Sequence, residues 1–326
     1  MILLTGATGY LGSAIAQELA GRRVAFRVLV RSRSRLTFDA AAAGAEVVEG
    51  DIRDTAALGR ALQGVVRVIH TAALVKMWAR DAAEFRRVNV DGLKMLLEAA
   101  RQAGVERVVY TSSFIALGPS SDPSAGEGLR HHGPYSNEYE QTKVEALAWL
   151  RAEGFSRYPV LALMPGVVYG PGPMTEGNLV GGMVAQYLAG KFPGLLGSGN
   201  QRWSFAFNAD VVAAHLAALE RGQPGEEYVL GGDNRSLNEF FRLLAERSGV
   251  RRPVRHLPFV VGKIVGALEL AKANLFGRSP QLTPGVVELF KHDWIYSSAK
   301  AERELGYHLT RLEDGMKEVL ESKINR

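Results

Sequence analysis

The strongest constraint on the fold is a junction near the start of the chain. An apolar run, Ile2-Leu3-Leu4, gives way to Thr5-Gly6-Ala7-Thr8-Gly9-Tyr10-Leu11-Gly12, and a helical pattern follows from Tyr10 to about Ala20. Glycines at 6, 9 and 12 allow a tight turn, let the backbone approach an anion, and let the helix pack closely on the strand. A helix starting there aims free N–H groups and the positive end of its dipole at that anion. A strand, a glycine loop and a helix in this order predict a dinucleotide-binding unit with Gly6, Thr8, Gly9, Tyr10, Leu11 and Gly12 against the pyrophosphate. The competing interpretation is a glycine-rich turn that holds nothing.

The next 150 residues repeat the alternation. Strands are expected at Val24–Val30, Glu46–Glu49, Val66–His70, Arg107–Thr111 and Val160–Met164. Helices are expected near Asp39–Ala43 and over Ala56–Leu62, Ala82–Ala103 and Asn137–Glu153. Such spacing implies right-handed crossovers and a parallel sheet, and strands apolar throughout imply cover on both faces. The fold class is therefore α/β, a Rossmann-type doubly wound sheet. After Pro165 the pattern changes: 166–199 is rich in glycine and proline around a helix near Val180–Ala189. A helix at Val211–Glu220 and a strand at Glu227–Leu230 follow, and from about Asn234 the chain is mostly helical. This divides the chain into 1–165, rejoined by 203–231, and a smaller, mainly helical substrate-binding part made of 166–202 and 232–326.

Tyr139-Glu140-Gln141-Thr142-Lys143 falls in a predicted helix, so Tyr139 and Lys143 share one face. A phenol with a pKa near 10 needs help to exchange protons near neutrality, and a neighbouring ammonium lowers that pKa. Alone, such a pair is common by chance. After a glycine loop and a fifth strand ending Tyr110-Thr111-Ser112-Ser113, it becomes a candidate catalytic set.

Glycines spaced as GxxGxxG, together with the Tyr/Lys pair and the hydroxyl run, resemble the extended short-chain dehydrogenases/reductases. The resemblance covers nearly the whole chain and is nearest to the dihydroflavonol-reductase-like branch. It implies an NAD(P)-dependent enzyme in which Tyr139 exchanges the proton, Lys143 holds the nicotinamide ribose, Ser113 orients the substrate oxygen (Ser112 being the alternative) and the helical Asn89 positions a water or backbone group. It also implies that Asp51 and Ile52 flank adenine, with Asp51 alternatively a helix cap. Thr71, Ala72 and Ala73 would lie beside the cofactor, and Pro165, Val167 and Val168 along the nicotinamide.

At the end of the second strand, Val30-Arg31-Ser32-Arg33-Ser34-Arg35 lacks the carboxylate expected for NAD. Arginine suits a 2′-phosphate, so NADP is expected, with Arg31 the main contact and Ser32 or Arg35 assisting. NAD remains possible. Met77, Trp78, Phe114, Tyr169, Trp203 and Phe205 are candidates for an apolar substrate pocket. Three functions compete: reduction of a ketone or aldehyde on a small apolar molecule, nucleotide-sugar epimerisation or dehydration with retained NAD, and non-catalytic redox sensing. Asn178-Leu179 resembles the sugar-nucleotide pattern, but the position of the arginine usual in such enzymes is held by Trp203, with Arg202 adjacent.

Composition removes other chemistries. There is no cysteine, which excludes disulfides, thiolate metal sites and cysteine nucleophiles and fits a cytoplasmic protein. His131 and His132 lack a third ligand at metal spacing and read as solvated loop residues or pocket walls, so no metal is expected. The net charge of +5 is scattered, with local runs at Arg31–Arg35 and Arg251–Arg255, and predicts no nucleic-acid partner. The stretch Leu257–Phe276 is interrupted by Lys263, Glu269 and Lys272, which argues against a membrane span. It reads as an amphipathic helix lying on the core rather than on a membrane. The resemblance implies a homodimer through Ala82–Ala103 and Asn137–Glu153.

Overall fold

The computed structural model describes residues 1–324. Its elements run β1 (Ile2–Thr5), α1 (Tyr10–Gly21), β2 (Phe26–Val30), β3 (Ala45–Glu49), α2 (Thr55–Leu62), β4 (Arg67–His70), α3 (Ala83–Arg86), α4 (Gly92–Gln102), β5 (Arg107–Thr111), α5 (Glu138–Trp149), α6 (Phe155–Arg157), β6 (Val160–Pro165) and β7 (Val167–Tyr169). They continue with α7 (Leu179–Leu188), β8 (Leu195–Leu196), β9 (Arg202–Phe207), α8 (Asn208–Arg221), β10 (Glu227–Leu230), β11 (Asp233–Ser236), α9 (Leu237–Ser248), β12 (His256–Leu257), α10 (Phe259–Phe276), α11 (Pro284–Leu289), α12 (Ala299–Leu305) and α13 (Leu312–Ile324).

Seven strands pair in the order β10-β6-β5-β4-β1-β2-β3, every pair parallel. Strand order reverses between β1 and β4, the switch point where open α/β sheets bind ligands beyond the strands' carboxyl ends. Successive residues alternate between two cores. Leu3, Val68, Val108 and Val160 pack under α2, α4 and α5, whereas Leu4, Ile69, Val109 and Leu161 pack under α1 and α8. Cover on both faces is why these strands read as continuous apolar runs.

Local chemistry sets several boundaries. Asp54 caps α2 by accepting from the amides of Ala56 and Ala57, worth about 1 kcal/mol. Asn137 caps α5. The helix expected over Ala82–Ala103 is present but carries a π-turn at Arg87–Asp91, which turns Asn89 into the protein. No helix forms near Asp39–Ala43. There the Asp39 carboxylate accepts from the amides of Ala41 and Ala42, and Gly44, at φ +66°, ends the turn before a helix can propagate.

Beyond Pro165 two small sheets brace the helical part: β11-β9-β7 and β12-β8. The stretch expected as an amphipathic helix on the core forms α10, but its orientation differs from the expectation. Its buried residues are Gly262, Gly266 and Ala273, while Val260, Val261, Ile264, Val265, Leu268, Leu275 and Phe276 are all exposed. Among the described residues no helix is long and apolar enough to cross a membrane.

Candidate functional site

A cleft of about 910 Å³ runs along the carboxyl ends of β1, β2, β4, β5 and β6. Its floor begins at the glycine loop. Gly6 has φ +82°, and a Cβ there would lie 2.5 Å from Thr71 Oγ1. A Cβ on Gly12 would lie 2.2 Å from the Gly6 carbonyl oxygen. Both sites therefore demand glycine, one for conformation and space, the other for space alone. The amides at the start of α1 have no side-chain cap and no acidic residue in the first turn, leaving donors for an anion. Tyr10 joins the lining, and its hydroxyl donates to the Gly170 carbonyl at 3.0 Å, tying α1 to the turn after β7.

Arg31 and Arg35 line the far end of the cleft with Asp51 and Ile52. Ser32 is not in the lining; its hydroxyl pairs with that of Ser34 at 2.9 Å. The fold does bring a carboxylate near this loop, Glu49 at the end of β3, but it accepts from the Arg33 amide at 2.6 Å. Asp51 is not the helix cap; that position belongs to Asp54. Instead Asp51 accepts from Arg53 Nε and Nη2, both at 2.8 Å, and the guanidinium holds its pKa below the ordinary carboxylate value. Thr71, Ala72 and Ala73 line the next stretch, with the Thr71 hydroxyl donating to the Thr5 carbonyl at 2.8 Å.

Ser113, Tyr139 and Lys143 meet in the cleft with Thr111 and Ser112. Lys143 is buried. Its Nζ donates to the Thr111 carbonyl at 2.9 Å and lies over the rings of Tyr110 and Tyr139, 5.1 and 5.9 Å from their centroids. Burial pulls its pKa down to about 7. Burial also pushes Tyr139 up to about 12, opposed by the Ser113 hydroxyl. The expected lowering of the tyrosine by its lysine is therefore reversed. Desolvation is the dominant influence on the tyrosine, and the Lys143 ammonium is directed at the Thr111 carbonyl instead. Beneath them lies His70, held neutral by burial with a pKa of about 3, bonded to Thr5 Oγ1 at 2.7 Å and stacked on Tyr110.

Asn89 is behind the cleft wall. It accepts from the Leu74 amide at 2.7 Å and donates to Thr142 Oγ1 at 3.0 Å, so it joins the loop after β4 to the helix bearing Tyr139 and Lys143. Its contacts are to backbone and threonine.

Pro165, Val167 and Val168 form one wall. Met77, Phe114 and Trp203 line the outer end, whereas Trp78, Tyr169 and Phe205 do not. Trp78 Nε1 donates to Asn274 of α10 at 3.1 Å. Tyr169 is wholly buried, packed on Phe205 and Phe207, and Phe205 stacks on Phe240. These strand residues point into the core between β9 and α9.

Met174, Leu289 and Trp294, none of them marked in the sequence, also line this end, as does Leu179 of the Asn178-Leu179 pair. Trp294 stands edge-on to Phe114 at 5.4 Å and bridges to Trp203. Nothing local marks it, since its partners are 91 and 180 positions away. Trp203 Nε1 is buried with no partner. His131 is neither solvated nor a pocket wall: its Nε2 pairs with the buried Glu140 carboxylate at 2.9 Å. Asn178 uses both ends of its amide locally, accepting from Gly181 N to cap α7 and donating to the Pro173 carbonyl. Among the described residues no group of three potential metal ligands occurs.

A doubly wound sheet with a glycine cradle and a Tyr/Lys pair in the cleft at its carboxyl edge defines a dinucleotide-dependent α/β enzyme. The NAD dependent epimerase/dehydratase family model matches residues 2–231, and the chain belongs to that family, the extended short-chain dehydrogenases/reductases. It is 31% identical to sterol demethylase protein B of Methylococcus capsulatus over 93% of this chain and 92% of that one. It is 28% identical to a putative dihydroflavonol 4-reductase of Synechocystis over 93% and 88%. The crystal structure of gox2253 superposes with a TM-score of 0.80 at 31% identity, covering 100% of this chain and 98% of the other.

Proposed function

We propose that the protein is an NADP(H)-dependent reductase of a ketone or aldehyde on an apolar, ring-bearing small molecule. The observation that carries this is geometric: Ser113, Tyr139 and Lys143 meet at the base of a cleft whose outer end is lined by Met77, Phe114, Trp203, Leu289 and Trp294. With Tyr139 raised to about 12, the phenol holds its proton at neutrality and is set to donate it to a carbonyl oxygen. Oxidation of an alcohol would need the phenolate first.

The cradle fits a dinucleotide: Gly6 and Gly12 leave space that any Cβ would fill, and the first amides of α1 are free for a pyrophosphate. Arg31 and Arg35, at the adenosine end with no free carboxylate aimed at them, suit a 2′-phosphate. When bound, reduced nicotinamide supplies the hydride. Ser113 hydrogen-bonds the substrate oxygen and orients it, Tyr139 delivers the proton, and Lys143 holds the ribose hydroxyls and supports the phenolate left behind. Asn89 acts as a positioning residue through Leu74 and Thr142. Met77, Phe114, Trp203, Leu289 and Trp294 exclude water from the reacting carbon and favour an apolar ring system. The relatives named for sterol and dihydroflavonol chemistry support that substrate class. So does Asn178, whose amide is spent on capping α7 rather than left free for a sugar nucleotide.

The test is a paired titration with NADPH and NADH, followed by loss of reduced-nicotinamide absorbance over a panel of steroid, flavonoid and quinone ketones. Tighter NADPH binding with turnover of at least one of these is expected. Tightly retained NAD and no net oxidation by any ketone would shift the assignment to internal hydride return on a nucleotide sugar.

A further inference from the structure

Helix α10 is packed inside out. Its inward side is made of small residues held too close to admit larger ones. A Cβ on Gly262 would lie 2.6 Å from Leu196, and one on Gly266 would lie 2.8 Å from the Thr283 backbone. The helix cannot rotate to bury its large side chains without losing this packing against α11 and β8. At 100° per residue, Val260, Ile264, Leu275, Leu268, Val261, Val265 and Phe276 fall on one continuous arc of about 160° facing away from the protein. Leu275 and Phe276 are 77% and 75% exposed, and Leu268 is 58% exposed. Only Lys272 interrupts the arc, and its long stem can carry the ammonium to the rim.

Charge is concentrated on the same segment. Residues 251–278 hold six basic side chains (Arg251, Arg252, Arg255, Lys263, Lys272 and Arg278) against one acidic, Glu269. The whole chain has 39 basic and 34 acidic residues, so the rest is balanced at 33 of each, and the entire formal excess of +5 lies here. A second copy docking through this face would bring like charges together, whereas an anionic surface would attract them. The face also adjoins the outer end of the cleft. Asn274 accepts from Trp78, the neighbour of cleft-lining Met77, and α11 beneath α10 contributes Leu289 to the lining. Met174 and Leu179, also in the lining, are themselves exposed.

We propose that the outer face of α10 is an interfacial docking surface for an anionic lipid bilayer. The helix lies in the headgroup plane with its apolar arc inserted and Lys272, Arg278 and the arginines of 251–255 against lipid phosphates, while Lys263 stays paired with Glu288 of α11. Resting on the reading of an apolar substrate, this places the cleft mouth where a membrane-dissolved molecule can enter without crossing water. The docking itself does not depend on that reading.

The experiment is sedimentation of the full-length protein with vesicles of phosphatidylglycerol and phosphatidylcholine in equal parts, beside pure phosphatidylcholine vesicles. The wild type is expected to pellet with the anionic vesicles, to stay in solution with the neutral ones, and to be released by high salt. The double variant Ile264→Glu/Leu268→Glu, at exposed positions, should lose roughly ten-fold or more in lipid affinity while binding NADPH and melting as the wild type does. Lys272→Glu should weaken binding less, and only at low salt. Wild-type protein that stays in solution with anionic vesicles would overturn the proposal, as would a double variant that pellets as the wild type does. If sedimentation velocity shows the double variant breaking a wild-type dimer, the occupant is a second copy and the lipid proposal fails. None of these readouts requires turnover, so failure of docking is separable from failure of the reductase assignment.

Discussion

The two ends of the cleft are built differently. At the cofactor end, residues 5–12, 31–35, 51–52 and 71–73 arrive on the turns after β1, β2, β3 and β4, neighbouring strands of one parallel sheet. Backbone bonds pin the loops together, and glycines leave no room for substitution. At the substrate end, Met77, Met174, Leu179, Trp203, Leu289 and Trp294 come from four separate stretches of chain, and only a short backbone bridge between Trp203 and Trp294 ties two of them together. The first is a rigid device fixed by sheet topology. The second is a packed rim in which several members remain partly exposed, so it can vary without loss of the fold.

The sharpest test of that contrast lies at the junction between the ends. Tyr139→Phe removes one hydroxyl and should lower kcat by about 10²–10⁴-fold, with NADPH affinity and Tm little changed. Steady-state kinetics beside calorimetry measure this, and a Tyr139→Phe enzyme retaining more than a tenth of its activity would remove the tyrosine from catalysis. Next is Arg31→Ala. Loss of a charge-assisted bond should raise Kd for NADPH by about 10–100-fold and leave NADH nearly unaffected, read by fluorescence titration. An equal loss for both cofactors would mean that Arg31 contacts the shared part of the dinucleotide and that NADP preference lies elsewhere.

The third is a pH profile. Lys143 is depressed to about 7, so the ammonium is present below that value and lost as pH rises through it. For the free enzyme, kcat/KM for NADPH should fall above pH 7, approaching about ten-fold per unit, and Lys143→Met should flatten the profile. The alcohol-oxidising direction should gain on reduction as pH rises, because that direction needs the Tyr139 phenolate. The smallest effect is expected at the substrate end. Trp203→Phe keeps the apolar wall but removes an indole N–H that has no partner, so stability should hold and KM for the ketone should change by no more than about threefold. A large loss would show that this N–H binds substrate, and the substrate end would then be as demanding as the cofactor end.

The cofactor end was legible in the sequence because its determinants are local. Gly6, Gly9 and Gly12 sit within seven residues, Tyr139 and Lys143 one helical turn apart, and each strand announces itself by an apolar run. Where the structure departs from the local pattern, the reasons are equally physical. Ser32 and Asp39 have side chains that found local partners, Tyr169 and Trp78 point away from the cleft, and His131 is consumed by Glu140. Trp294 and Leu289 left no local trace.

The sequence by itself determined the alternating α/β order, the glycine cradle and the pairing of Tyr139 with Lys143 on one helix face, because periodicity and short spacing survive in one dimension. Only the tertiary structure decided which aromatics face the cleft, that burial raises Tyr139 while lowering Lys143, and that α10 turns its glycines inward and its leucines and valines outward. Those outcomes depend on desolvation and close packing between segments far apart in the chain. Neither is a property of a segment alone.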